Sequence, residues 1–274
     1  MALALRQPIH ITREVFNFED KLKEDDLEDD SEGSGVYNKD VRQALVIIAV
    51  AACDLACILT DILNLAVPQV RSTCCVPETT NHHFLHVKQL RETLKEWCSN
   101  ITSRLSGMHV HRQCRSPTTF FSHLLLMQFN SALVMLAHSE IEREVESHPQ
   151  SGRDHLSISQ NRLEISESTA STTEILRSIA QIGMLQYLPV ITHVPLSSPC
   201  GLTVAFTAQP LALLVLDQTF TYGITSAANN ELQVMLETMK AYQPLYSTTD
   251  VVLETTYRIG LAARAMLRNS AVMP

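Results

Sequence analysis

Residues Thr173-Glu-Ile-Leu-Arg-Ser-Ile-Ala-Gln-Ile-Gly-Met-Leu-Gln-Tyr-Leu-Pro189, followed by Pro210-Leu-Ala-Leu-Leu-Val-Leu-Asp217, decide the fold class of this 274-residue chain. Ile175, Leu176, Ile179 and Ile182 fall at i, i+1, i+4 and i+7, which makes one face of a helix apolar. Gly183 loosens that helix, and Pro189, lacking an amide hydrogen, cannot continue it. A second apolar helix follows the break. The spacing means helix packed on helix.

The same reading extends outward through the chain. Asn38 is placed to cap a long helix from Lys39 to about Val67, which Pro68 ends. Residues 69–80, with Cys74, Cys75 and Pro77, read as a loop. A helix over 81–105 follows, amphipathic through Leu85, Leu90, Leu94 and Trp97. Ser116 and Pro117 form a good helix start, with serine as the cap and proline at the first helical position. That helix should run to Ser147, apolar on nearly all sides as far as Leu136 and therefore central. Its end, from Glu140 to Glu146, turns polar and should project from the body. A polar loop over 147–159 and helices over 161–183, 202–221, 226–241 and 249–269 complete the expectation. No long period-2 alternation is visible. The expected fold is an all-α, multi-helix bundle spanning 38–274, preceded by an N-terminal segment, 1–37, with an acidic loop.

Hydrophobic residues make up 45% of the chain, beside 8 Gly and 11 Pro, the balance of a globular protein. The longest apolar stretch, 44–67, contains Asp54 and Asp61, and carboxylates are costly inside a bilayer. No membrane span is needed. Seven cysteines without a recognisable signal sequence fit reduced thiols better than a disulfide framework. Residues 14–32 hold ten acids and two lysines, an excess that equals the whole net charge of −8. The remaining body is formally neutral, a poor match for a phosphate backbone, so no direct nucleic-acid contact is expected.

Motifs with chemical meaning are few. Cys53 and Cys57 lie one turn apart on an apolar helix, where buried thiols act as small hydrophobes. His82 and His86 stand at i, i+4, but His83 occupies the place where the metalloprotease pattern needs glutamate, so three histidines at an exposed helix start is the plainer reading. Asp54 and Asp61 lie about two turns, or roughly 10 Å, apart, and each is expected to cap a loop or face an arginine. No nucleophile elbow, phosphate-cradling loop or dinucleotide fingerprint occurs, so neither an enzyme nor a cofactor is implied. Leu59-Thr-Asp-Ile-Leu63 resembles a receptor-binding box, yet such spacing is ordinary in a core. Five methionines, at 127, 135, 184, 235 and 239, could line an adaptable pocket, though a filled core is the simpler alternative. In the acidic segment, Phe16, Phe18, Leu22 and Leu27 alternate with carboxylates, the pattern of an activation segment that offers apolar groups to a coactivator. The plainer alternative is a surface loop whose Phe16 and Phe18 dock on the bundle.

Several segments, in order, resemble the middle regulatory region of fungal zinc-cluster transcription factors, particularly the group like the cutinase transcription factor. Beside the string around 173–217, the start Met1-Ala-Leu-Ala-Leu-Arg-Gln-Pro is similar to the family's A-L-A-L-G-R-P segment without its glycine. Leu90, Leu94 and Trp97 resemble its L-x-x-x-L-x-x-W helix. Residues 120–138 resemble its long central helix, with Leu136-Ala-His-Ser-Glu140 where the family usually reads L-L-H-R-P-F. The family's six-cysteine zinc cluster is not matched: no cysteine pairs of that spacing occur here. The resemblance implies a nuclear, helical regulatory domain that controls a fungal gene set, with a specialised-metabolite cluster as a plausible setting. Such regions act by burying or exposing activation segments, sensing small ligands or dimerising. The implied partners are a full-length transcription factor, a coactivator or a second copy. A truncated heterodimerising modulator and a small-ligand-binding helical module are the alternatives.

Overall fold

The computed structural model describes residues 21–27, 36–66, 80–106, 115–147 and 155–184, together with Val234, Glu237, Thr238, Lys240 and Glu254 as isolated helical positions. Within these residues the protein is all-α. Four helices follow one another: α1 (Lys39–Ala66), α2 (Thr80–Ser106), α3 (Arg115–Ser147) and α4 (His155–Gln181). No strand occurs among the described residues. A short 3-10 turn, Asp25–Leu27, precedes α1. Of the other expected helices, 202–221 lies outside the described residues, and 226–241 and 249–269 are represented only by the isolated positions above. By internal contacts the described residues divide into two compact units, one up to Ala132 and one from Leu133.

In the first unit, α1 begins as its sequence requires. The Asn38 side-chain oxygen accepts a 2.9 Å hydrogen bond from the Val41 amide, satisfying a donor that the first turn leaves without an intrahelical partner. Val41, Ala44, Ile48, Ala51, Leu55, Leu59 and Ile62 are buried along one stripe at steps of three and four. On α2 the matching stripe is His83, Val87, Leu90, Leu94 and Ile101. The two helices pack against each other. Trp97 anchors the pair: its indole Nε1–H donates to the Ala51 carbonyl at 3.1 Å, and its ring stacks 6.2 Å from Phe129. Leu85, expected on the apolar face of α2, is instead 64% exposed. The register set by Val87 and Leu90 turns it outward.

Helix α3 starts at Arg115, one residue before the expected serine cap. Pro117 is then the third helical residue, still among the amides that need no intrahelical acceptor, so its missing donor costs nothing. Phe120, Leu124, Leu125 and Met127 are buried, and so is every residue from 130 to 137. Eight consecutive buried residues exceed two turns, the burial on all sides that the composition implies. The expected projecting end does not occur at Glu140, which is itself buried.

Helix α4 begins at His155, where a loop to Ser159 was expected. Polar composition hid a helix whose side chains are satisfied locally. Ser157 Oγ donates to Glu144 Oε1 at 2.5 Å, tying the start of α4 to the end of α3. The core face of α4 carries Ser168, Thr169, Thr172 and Thr173, all buried. Their threonine hydroxyls donate back to Ile165, Ser168 and Thr169 carbonyls at 2.6 to 3.0 Å, so these polar groups enter the core already bonded. Ile175, Leu176 and Ile179 complete the face. Gly183 ends the helix outright rather than loosening it. With φ at +72° it lets its own amide donate to Ala180 O and the Met184 amide to Ile179 O, the paired closing bonds of a left-handed cap.

Two helices, over Lys39–Leu65 and Pro117–Ile141, are long and apolar enough to cross a bilayer by length and composition alone. Asp54 and Asp61 of α1 line a groove of mixed polar and apolar walls shared with α2, and carboxylates are costly inside a bilayer.

Candidate functional site

The acidic segment supplies the candidate site through a run of seven residues, Lys21-Leu-Lys-Glu-Asp-Asp-Leu27. It is not simply a solvated loop repelled by its own charge. The Lys23 amide donates to Asp26 Oδ2 at 2.8 Å, while the Asp26 and Leu27 amides donate to Lys23 O and Glu24 O. One carboxylate is thereby used to cap a turn. Leu22 and Leu27, two of the four residues nominated as an interaction segment, are half-buried. Phe16 and Phe18, the other two, lie outside the described residues.

Two ion pairs of opposite polarity hold this turn on the α1 and α2 pair. Lys21 Nζ meets Asp54 Oδ1 of α1 at 2.9 Å, and Glu24 Oε1 meets the Arg104 guanidinium of α2. All four side chains are at least 36% exposed. Exposed pairs of this kind are worth about 0.2–1 kcal/mol each and weaken with salt.

Beside the turn, α1 and α2 border a groove of about 590 Å³, within the size range of small-molecule sites. Ile58, Leu90 and Trp97 give it apolar walls, and Asp61, His86 and Glu96 give it polar ones. Lys21, Asp54 and Arg104, three of the four latch residues, also line it. Asp54 and Asp61 thus share a site, as paired carboxylates on one helix can. The partner of Asp54 is a lysine from the acidic segment, not the expected loop or arginine.

Other nominated residues fall differently. Cys53 is exposed and Cys57 half-exposed, so neither is a buried core thiol: the apolar stripe of α1 runs along its opposite face. Cys98 of α2 is half-buried, and burial pushes its thiol up from its ordinary value, partly opposed by a hydrogen bond with Thr102. Of the histidine group, His83 is buried rather than exposed, and His86 is exposed and faces the groove. The side chain of His82 lies outside the described residues. Among the described residues no three of His, Cys, Asp and Glu are grouped closely enough to hold a metal ion. Leu59, Ile62 and Leu63 of the box-like motif are core. Met127 and Met135 are buried within α3, while the groove between α1 and α2 has no methionine wall. His123 on α3 is half-buried, its Nδ1 meets no hydrogen-bond partner, and burial lowers its pKa below the ordinary 6.5.

Sequence reasoning did not single out Lys21, Glu24 or Arg104. Lys21 and Glu24 carry opposite charges three residues apart, which hints at a two-point contact. Their partners are 33 and 80 residues away in the chain, beyond any local pattern.

Comparison with protein-family models, with curated proteins and with solved structures finds no match to this chain.

Proposed function

We propose that this protein is a helical transcription regulator that acts through partner contacts rather than by binding DNA itself. The observation that carries the reading is the acidic, leucine-bearing turn at 21–27, held on the α1 and α2 pair by two solvent-exposed ion pairs. A segment of activation-like composition, lightly fastened to a rigid helical pair, suits a regulator that conceals and presents it. The resemblance to the fungal zinc-cluster regulatory region supports the same assignment and rests on the order of the segments quoted above. On this reading the protein acts in the nucleus, with a full-length factor, a coactivator or a second copy as partner. A gene set such as a specialised-metabolite cluster is its field of action. On this reading the chain is not an enzyme.

The groove supports a second reading, a helical module that binds a small ligand, because its volume and mixed walls suit one. The two readings separate in one experiment. The chain is fused to a heterologous DNA-binding domain in a reporter assay, and the unfused chain is titrated with random duplex DNA across a salt series. The proposal expects altered reporter output and no duplex binding at low salt. An unchanged reporter overturns it, as does tight, steeply salt-dependent duplex binding, which would reveal a basic face.

A further inference from the structure

We infer that Asp54 and Arg104, with the groove between α1 and α2, form a docking site for a peptide segment, and that residues 21–27 act as a charge-latched strap that engages its two charged points in cis. The polarity of the latch defines the site. Asp54 on α1 receives an ammonium, and Arg104 on α2 receives a carboxylate from a residue three positions further along the same segment. A segment with the order acid then base would set like charges together at both ends. Ile58, Leu90 and Trp97 give the same groove its apolar walls. Leu22 and Leu27 of the strap are half-buried but are not part of those walls.

The hold is weak by construction. With Lys21 59% exposed and the other three side chains at 36–38%, each pair shifts the closed-to-open ratio by about 1.4- to 5-fold, and the two together by about 2- to 30-fold. Such a strap is displaced without disturbing the buried stripes of α1 and α2. The competitor that fits is a peptide segment with a basic residue for Asp54, an acidic residue for Arg104 and apolar side chains between them. Its docking would fill the groove and release the chain's own acidic turn in one exchange. This inference rests on the latched turn that also carries the proposed function and names what would release it, while the quenching test reads the latch whether or not the chain regulates transcription.

Trp97 is the only tryptophan in the sequence and lines the groove, so its emission reports on the site. The test compares acrylamide quenching of Trp97 in the full-length chain and in the doubly substituted Lys21→Ala, Glu24→Ala variant, from low to about 1 M salt, where screening acts within about 3 Å. Both substitutions are at exposed positions, and far-UV circular dichroism checks that the helices persist. The inference expects quenching of the native chain to rise with salt and that of the variant to be high at every salt. Lys21→Asp combined with Asp54→Lys restores the native profile. A synthetic peptide of the strap sequence, added at millimolar concentration as befits a segment normally held at intramolecular effective concentration, protects Trp97 in the double variant. The same peptide with lysine and glutamate exchanged does not. Identical quenching in native chain and double variant overturns the strap. Equal protection by both peptides, or by neither, overturns the docking site.

Discussion

Substituting Gly183 by alanine isolates a single physical cost. The backbone there has φ at +72°, in the left-handed region that L side chains resist. A Cβ built on Gly183 meets nothing within 4 Å, so no steric clash adds to the penalty. What remains is the backbone conformational cost, about 1–2 kcal/mol for the left-handed region, reduced slightly because alanine restricts the unfolded chain more than glycine does. The expected net loss is about 1 kcal/mol, or a fall in melting temperature of about 2–4 °C for a chain of this size. Gly183→Asn should lose less, since asparagine visits this region readily. Urea denaturation followed by helical circular dichroism measures the change, with unequal slopes excluding a simple stability comparison. Amide exchange gives a local check: the Gly183 and Met184 amides donate the two closing bonds and should lose protection together. A neutral alanine would mean that α4 can end without the left-handed residue. A loss above about 3 kcal/mol would require packing at a position whose geometry shows open space.

Two further outcomes follow from burial. Leu94→Ala, at a fully buried position in the seam between α1 and α2, should cost about 2–5 kcal/mol, whereas Leu85→Ala, 64% exposed on the same helix, should change stability by no more than about 0.5 kcal/mol in thermal or urea unfolding. His123 titrates near 6.5 when unfolded and lower when folded, so the unfolded chain binds the proton first. Stability is then full above about pH 6.5 and falls as the pH drops toward the folded value, and His123→Gln should flatten that decline in denaturation curves taken between pH 7 and 5.

Local chemistry was written in the residues themselves. Asn38 announced its helix because an Asx side chain reaches the third amide of a first turn, and that bond is present. The all-α class, the buried middle of α3 and the glycine at the end of α4 are equally short-range consequences of period and backbone sterics. The polar start of α4 is not legible in composition because Ser157 is satisfied by Glu144, a residue of the preceding helix, and composition alone does not show a partner. An apolar setting suggests core thiols at Cys53 and Cys57, but the core runs along the other face of α1: in a helix apolar on most sides, only the neighbour decides which stripe is buried. The same holds for Asp54 and Asp61, whose shared groove exists only once α2 is packed alongside.

The sequence by itself determined the all-α class, the Asn38 cap of α1 and the location of all the net negative charge, because each depends on residues within about one turn of one another or on a simple count. Only the tertiary structure decided that part of this charge is spent on a turn latched to Asp54 and Arg104, and that Trp97 looks into the groove beside it. Ion pairs spanning 33 and 80 residues have no periodic signature, since Coulomb attraction depends on distance in space and not on separation along the chain.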